Sequence, residues 1–257
     1  MEPSTICNSV GRIRFLALIV LSVFSSAQVL AAGITIGSGG SISVGSGAIH
    51  VGCGDLVNSG TLSLGSGVLN MTGNVKSTGQ FNGDSGLLEF GGDWSNNGAF
   101  TAGTSTVAVV DECGNGSITF AGNSDFYNLS MVTTAGKTVV FEAGAEQKIA
   151  SDLVFTGSPG NLLTLRSSIP GAPVFTSLAL AGTQFIDWVD VADNVATEMF
   201  QHLAPTYPTT LNSVDSGGNS GWFIENMASI PTLSGMGMLI FVALILLGAG
   251  FAHRRVI

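Results

Sequence analysis

A step of nineteen residues recurs through the middle of this chain and leaves it few folds to choose from. Gly60, Gly79 and Gly98 fall on that step, as do Leu62, Phe81 and Phe100. The same step carries Leu69 onto Leu88 and Val107, and Met71 onto Phe90 and Val109. An earlier unit, 40–47, matches 60–67 at a step of twenty. Self-similarity at this period belongs to stacked repeats. Within a unit, apolar residues alternate with polar ones, as at Leu62 and Leu64 or Leu88 and Phe90, which is the pattern of a strand with one buried face. Gly, Asn and Ser occupy the turn positions between them, and no amphipathic helix pattern appears between the two ends of the chain.

Two or three short strands with tight corners in about twenty residues make one coil of a parallel β-solenoid, or β-helix. A single coil cannot bury its own inner face, so stacking must supply the core. The expected fold class is therefore all-β, with inward rows that include Leu62, Phe81 and Phe100. Downstream the units continue with poorer fidelity at 116–122, 126–131, 138–141, 149–155, 162–166 and 175–180. The stretch 183–193 (TQFIDWVDVAD) reads as one dense strand holding Trp188 and as the last full coil. Roughly eight coils fit between residues 33 and 193 at this period.

The two ends are of another kind. Residues 1–32 read as a signal peptide, a short helix in transit: Arg12 and Arg14 form the basic region, 15–24 the apolar region, and Val29-Leu30-Ala31-Ala32 the small-residue cleavage site. At the other end, Ile230-Pro231-Thr232-Leu233-Ser234 leads into an uncharged run, 235–252, followed by His253, Arg254 and Arg255. As a helix that run is about 27 Å long, close to the ~30 Å apolar thickness of a bilayer. Basic residues stay on the cytoplasmic side, so Arg254 and Arg255 act as a membrane stop signal that leaves everything before residue 230 outside. The order is then signal peptide (1–32), β-solenoid (33–195), closing segment and connector (196–229), and tail (230–257) with its transmembrane helix at 235–252.

The lead, the span and the terminal Arg pair together resemble the IPTL-CTERM sorting signal of Gram-negative bacteria, a family similar to PEP-CTERM. The resemblance covers about a tenth of the chain. It implies processing by an exosortase-like membrane enzyme near residues 230–234, and a route from the inner membrane to the envelope, cell surface or extracellular matrix. The chain departs from the family in running from Ser234 directly into Gly235-Met236-Gly237. A second resemblance rests on 94–100 (WSNNGAF), 126–129 (FYNL), 162–168 (LLTLRSS) and 215–223 (DSGGNSGWF). These look like phrases of large bacterial surface proteins with Gly- and Thr-rich β-solenoid repeats, and imply that Trp222 and Phe223 cap the open end of the core.

Charge and cysteines narrow the function. Lys76, Lys137, Lys148 and Arg166 are the cations between leader and tail, while of 17 carboxylates only Glu2 lies in the leader. An acidic ectodomain repels phosphate backbones, which argues against nucleic acid as a partner. Cys7 leaves with the leader, and Cys53 and Cys113 remain. Their units lie three coils apart, about 14 Å at one strand spacing per coil, against the ~7 Å limit between Cα atoms of a disulfide. The expectation is two free or loop-borne thiols, although 111–116 reads as a loop and is able to fold back.

Chemistry is sparse. His50, His202 and His253 are too scattered to form one site, and no phosphate-cradling glycine motif occurs. Asp187, Asp190 and Asp193 are weak candidates for calcium, but a turn at the end of a strand explains the same residues and no metal or other cofactor is expected. Asp84 with Glu89 or Asp93, and Asp111 with Glu112, are the carboxylate pairs a glycoside hydrolase would need. The expected function is structural or adhesive display at the cell surface, without catalysis, with the membrane and an exosortase-like enzyme as partners and extracellular polysaccharide as a further one. The alternatives are a secreted β-helix enzyme that degrades polysaccharide and a calcium-stabilised carbohydrate-binding module.

Overall fold

A computed structural model describes residues 33–197, 201–204 and 212–223. The leader 1–32, the connector 205–210 and the sorting tail 230–257, with its lead, span and Arg pair, lie outside the described residues.

The described chain is a parallel β-solenoid of about eight coils, each with three faces. The first face is a nine-stranded sheet running from Ile34–Ile36 to Val214–Asp215, and the third is a seven-stranded sheet from Ala48–His50 to Thr183–Asp187. The second face is divided into two four-stranded sheets, one from Ser41–Ser43 to Ala99–Thr101 and one from Ser124–Phe126 to Asn194–Ala196. Every strand pair in these sheets is parallel, as coils stacked in one direction require.

The registers follow the sequence period. Ile42 pairs with Leu62, Leu62 with Phe81, and Phe81 with Phe100. Ile49, Leu69, Leu88 and Val107 form another row, and Phe90 pairs with Val109. Alternation turns these side chains inward: Leu62, Phe81, Leu69 and Leu88 are wholly buried. Phe100 is only half-buried, because its sheet ends there and the next strand on that face, Ser124–Phe126, is not hydrogen-bonded to it.

Large rings fill the break in the second face. Trp94 lies with its ring centre 5.5 Å from Phe100, 5.5 Å from Phe126 and 5.6 Å from Phe90, and its indole N–H donates to Ser124 Oγ at 2.9 Å. An aromatic body with one satisfied donor can bridge two sheets that do not pair.

The corners explain the Asn/Ser-x-Gly repeat. Asn58 is buried at the end of its strand, where its Oδ1 accepts the Gly60 N–H (3.1 Å) and its Nδ2 donates to Ser77 Oγ (3.1 Å) and to the Gln80 carbonyl (2.9 Å). Two residues later the chain passes so close to the coil beneath that a Cβ on Gly79 would collide with the Gly60 carbonyl oxygen, and one on Gly98 with that of Gly79. Glycine is therefore required for contact between coils at this corner.

Two expectations need correction. The stretch 183–193 is not one strand: Thr183–Asp187 ends the third face, Val189–Val191 begins the next coil on the first, and Trp188 turns the corner between them at φ 54°. The solenoid also continues past residue 195. Val214–Asp215 joins the first sheet, Leu203 is wholly buried, and Trp222 is 5% exposed with its Nε1–H donated to Asn194 Oδ1 at 3.0 Å. Trp222 closes the core, with Phe223 half-buried beside it.

Candidate functional site

The cysteines form the first feature, and here the expectation of two thiols fails: Cys53 and Cys113 are joined by a disulfide, with Cα atoms 5.7 Å apart. The reason is a loop inserted at one corner. Trp94 pairs with Val75 nineteen residues before it, but with Phe120 twenty-six residues after it, so this coil carries seven extra residues. Four of them lengthen the corner from three residues (91–93) to the seven of 110–116, which include a 3₁₀ turn at Glu112–Gly114 and fold back across two coils, and three lengthen the start of the next strand, Ser117–Ala121. Gly91 makes room, since a Cβ there would lie 2.8 Å from the Thr72 carbonyl oxygen and 3.0 Å from that of Glu112. Strand spacing measures coils, not loops, so the 14 Å separation did not apply.

Beneath the loop lies Lys137, 3% exposed, whose ammonium donates to the carbonyls of Gly91 (3.1 Å) and Asn115 (2.9 Å). Burial lowers its pKa, and the charge of Asp111 partly restores it. For Asp111, burial acts to raise the pKa. Hydrogen bonds outweigh that and hold it below the usual carboxylate value: N–H groups of Thr134 (2.6 Å) and Ala135 (3.2 Å) and the Thr134 hydroxyl donate to Oδ2, with the Thr133 hydroxyl close by but outside bonding geometry. Thr72 donates its hydroxyl to Cys113 Sγ. The cluster is a clamp across several coils, and both cysteines are exposed to solvent.

The second feature is a row of Asx residues at the corner before the first face. Asp55 accepts the Asn74 N–H, Asn74 accepts that of Asp93, and Asp93 accepts that of Thr119, each at 2.7 Å. Each side chain thus caps the backbone of the next coil. The row borders an open groove of about 380 Å³ lined by Asp55, Val57, Asn74, Lys76, Asp93 and Ser95. Asp55 and Asp93, two coils apart, are separated by about 10 Å, wider than the ~5 Å of a retaining glycosidase pair and at the edge of the inverting range. Chemically the groove offers hydrogen-bond acceptors and one ammonium along an open surface. Sequence reasoning missed Asp55, although the nineteen-residue step from Asp55 to Asn74 to Asp93 carried the signal.

The other carboxylates named from sequence do not converge. Asp84, at φ 52°, sits between the second and third faces, where the Ser63 hydroxyl (2.6 Å) and the Gly65 N–H (3.0 Å) hold its pKa down against slight burial. Glu89 lies on the third face, bonded to Asn70 at 2.7 Å, and Asp93 is on the opposite corner of the coil. Glu112 is exposed on the clamp loop. Asp187 accepts its neighbour's N–H (Trp188, 3.1 Å), Asp190 binds Arg166 (2.6 Å) and Ser216 (2.6 Å), and Asp193 accepts the Gly171 N–H (3.0 Å). These three serve separate contacts, and no group of three or more His, Cys, Asp or Glu among the described residues is placed to hold a metal. His50 and His202 are both exposed, on different coils. No helix among the described residues is long and apolar enough to cross a membrane. Comparison with known protein families, curated proteins and solved structures gives no match.

Proposed function

We propose that this chain is an exported surface protein whose solenoid is displayed as a rigid structural or adhesive element, sorted through its C-terminal tail. The observation that carries the reading is the Cys53–Cys113 disulfide, solvent-exposed and spanning a loop of 60 residues. Such bonds form and persist in oxidising compartments outside the cytoplasm. A leader at 1–32 and an apolar tail ending in Arg254 and Arg255 fit the same route.

The display role is supported by how the carboxylates are used. Asp55, Asp84, Asp93, Asp111 and Asp193 each accept backbone N–H groups of another coil or corner, so they stiffen the stack. The groove beside Asp55, Asn74 and Asp93 is open and polar, which suits repeated weak contacts with the hydroxyls of an extracellular polysaccharide.

Intact mass and fractionation of the native protein, with and without reductant, test this reading. The expected species lacks residues 1–32, ends near residue 230, gains two protons on reduction and is recovered outside the inner membrane. A species that retains Arg254 and Arg255 in the inner membrane overturns sorting, and one with free thiols as isolated overturns export.

A further inference from the structure

The two ends of the solenoid are finished differently. At the C-terminal end Leu203 and Trp222 are buried over the core, and Val214–Asp215 adds a last short strand. At the N-terminal end Ile34–Ile36, Ser41–Ser43 and Ala48–His50 are each the outermost strand of their sheets, and no described strand pairs with their outer edges. Ile34, Ile42, Val44, Ile49 and Val51, which belong to the inward rows, stay half-buried there.

The hydrogen bonds between the first two coils fix which backbone groups face outward. Ile34 N–H donates to the Asp55 carbonyl and the Ile36 carbonyl accepts from Ser59, so these two residues face the second coil. Gly40 and Val44 do so on the second face, through Thr61 and Ser63, and Gly47 and Val51 on the third, through Val68 and Asn70. In a parallel ladder alternate residues present both backbone groups to opposite sides. Thr35, Ser41, Ser43, Ala48 and His50 therefore direct their N–H and C=O groups to the free edge, and all five are exposed.

Edges of this kind are ordinarily blunted by charge, proline or a bulge. Here 33–54 contains no Asp, Glu, Lys, Arg or Pro, in a chain whose net charge is −9. The neutrality matters for the choice of occupant. Two copies of an acidic chain repel each other least where neither carries charge, and this end is such a place. We infer that the N-terminal coil is a self-pairing surface, on which a second copy of the same chain docks head to head. A two-fold axis perpendicular to the stack makes the contact isologous and the new strand pairs antiparallel. One of the three strands then pairs with its own copy, and the other two pair with each other across the interface. The half-buried isoleucines and valines complete their burial against the same rows of the partner.

The inference rests on the reading of 1–32 as a removed leader, since the edge is offered only when the chain begins near Gly33. The test uses the full-length gene product, exported and purified in mild detergent, with its N-terminus read by intact mass and its oligomer mass by light scattering corrected for detergent. Two variants accompany it: Ser41→Lys/Ser43→Lys, which places like charges at exposed edge positions, and Thr35→Pro, which removes an outward N–H that makes no bond to the second coil. The expected result is a mature species of about twice the protomer mass, converted to protomer by either variant with its far-UV circular dichroism and its disulfide unchanged. A protein that begins near residue 33 and stays a protomer at tens of micromolar overturns the inference while leaving the leader reading intact. A dimer that withstands the Lys pair places the contact elsewhere and also overturns it. Retention of residues 1–32 sinks the leader reading, and the inference falls with it.

Discussion

The early coils and the late coils of this solenoid solve the same stacking problem with different materials. Between Leu56 and Val109 the strands are three or four residues long, the step is nineteen, and the corners are closed by glycine lying against glycine. Between Lys137 and Asp187 most strands have five residues and the step widens, from Val139 to Leu165 by twenty-six and from Leu153 to Gln184 by thirty-one. Three corner glycines there, Gly144, Gly160 and Gly171, have positive φ with open space around them, while Gly157 and Gly182 lie close against the backbone carbonyls of Trp188 and Ser151, not against another glycine. The early coils are also cross-linked from Cys53 to Cys113, and the late ones are not. Short strands make few ladder bonds per coil, so the early region depends on exact corners and a covalent clamp. Longer strands hold the later coils in register while their corners vary.

Breaking the clamp tests the contrast most severely. By chain-entropy reasoning, a cross-link closing 60 residues contributes about 4 kcal/mol. Cys53→Ser/Cys113→Ser should accordingly lower Tm on the order of 10 °C. Hydrogen exchange should quicken across 56–109 and remain slow across 137–187; equal quickening in both regions would refute the contrast.

Corner glycines give the next largest effect. Gly79→Ala forces a methyl against the Gly60 backbone and should cost about 1–3 kcal/mol by overpacking. Gly116→Ala, on the clamp loop with nothing within 4 Å and no positive φ, should leave denaturant stability unchanged or slightly raised. Similar losses from both would show that corner contact is not what fixes the nineteen-residue step.

The smallest effect concerns charge under the clamp. Asp111 has a lowered native pKa, so its contribution is fully present above the ordinary carboxylate range and is lost as pH falls through that lowered value. Lys137 also has a lowered native pKa, which for a cation means that the native state releases its proton before the unfolded chain does. Stability should rise with pH between the native value and the ordinary one near ~10.4. In urea titrations Asp111→Asn should flatten the acid limb, and Lys137→Met should remove the alkaline rise; an unaltered profile in either variant would exclude that group as its source.

Much of the fold was legible because the repeat is one-dimensional. Each coil meets only its neighbours, so a constant offset in sequence becomes a constant offset in space, and Leu62, Phe81 and Phe100 fell into register as their spacing implied. Legibility failed at insertions. The seven residues added before Phe120 broke the ruler used for Cys113, and the corner at Trp188 was hidden inside an apolar run that looked continuous. The carboxylate pairs misled for a related reason: Asp84, Glu89 and Asp93 are near in sequence, but one coil places them on a corner, a face and the opposite corner.

Taken alone, then, the order of residues determined the strand period, the inward rows and the glycine corners, because each depends on alternation and spacing within one or two coils. Only the folded chain decided that Cys53 meets Cys113, that Lys137 is buried beneath their loop, and that the uncharged strands of the first coil have no further strand beside them among the described residues. Those are relations across several coils or at the end of the stack, where no local period constrains the path and excluded volume and backbone pairing choose it instead.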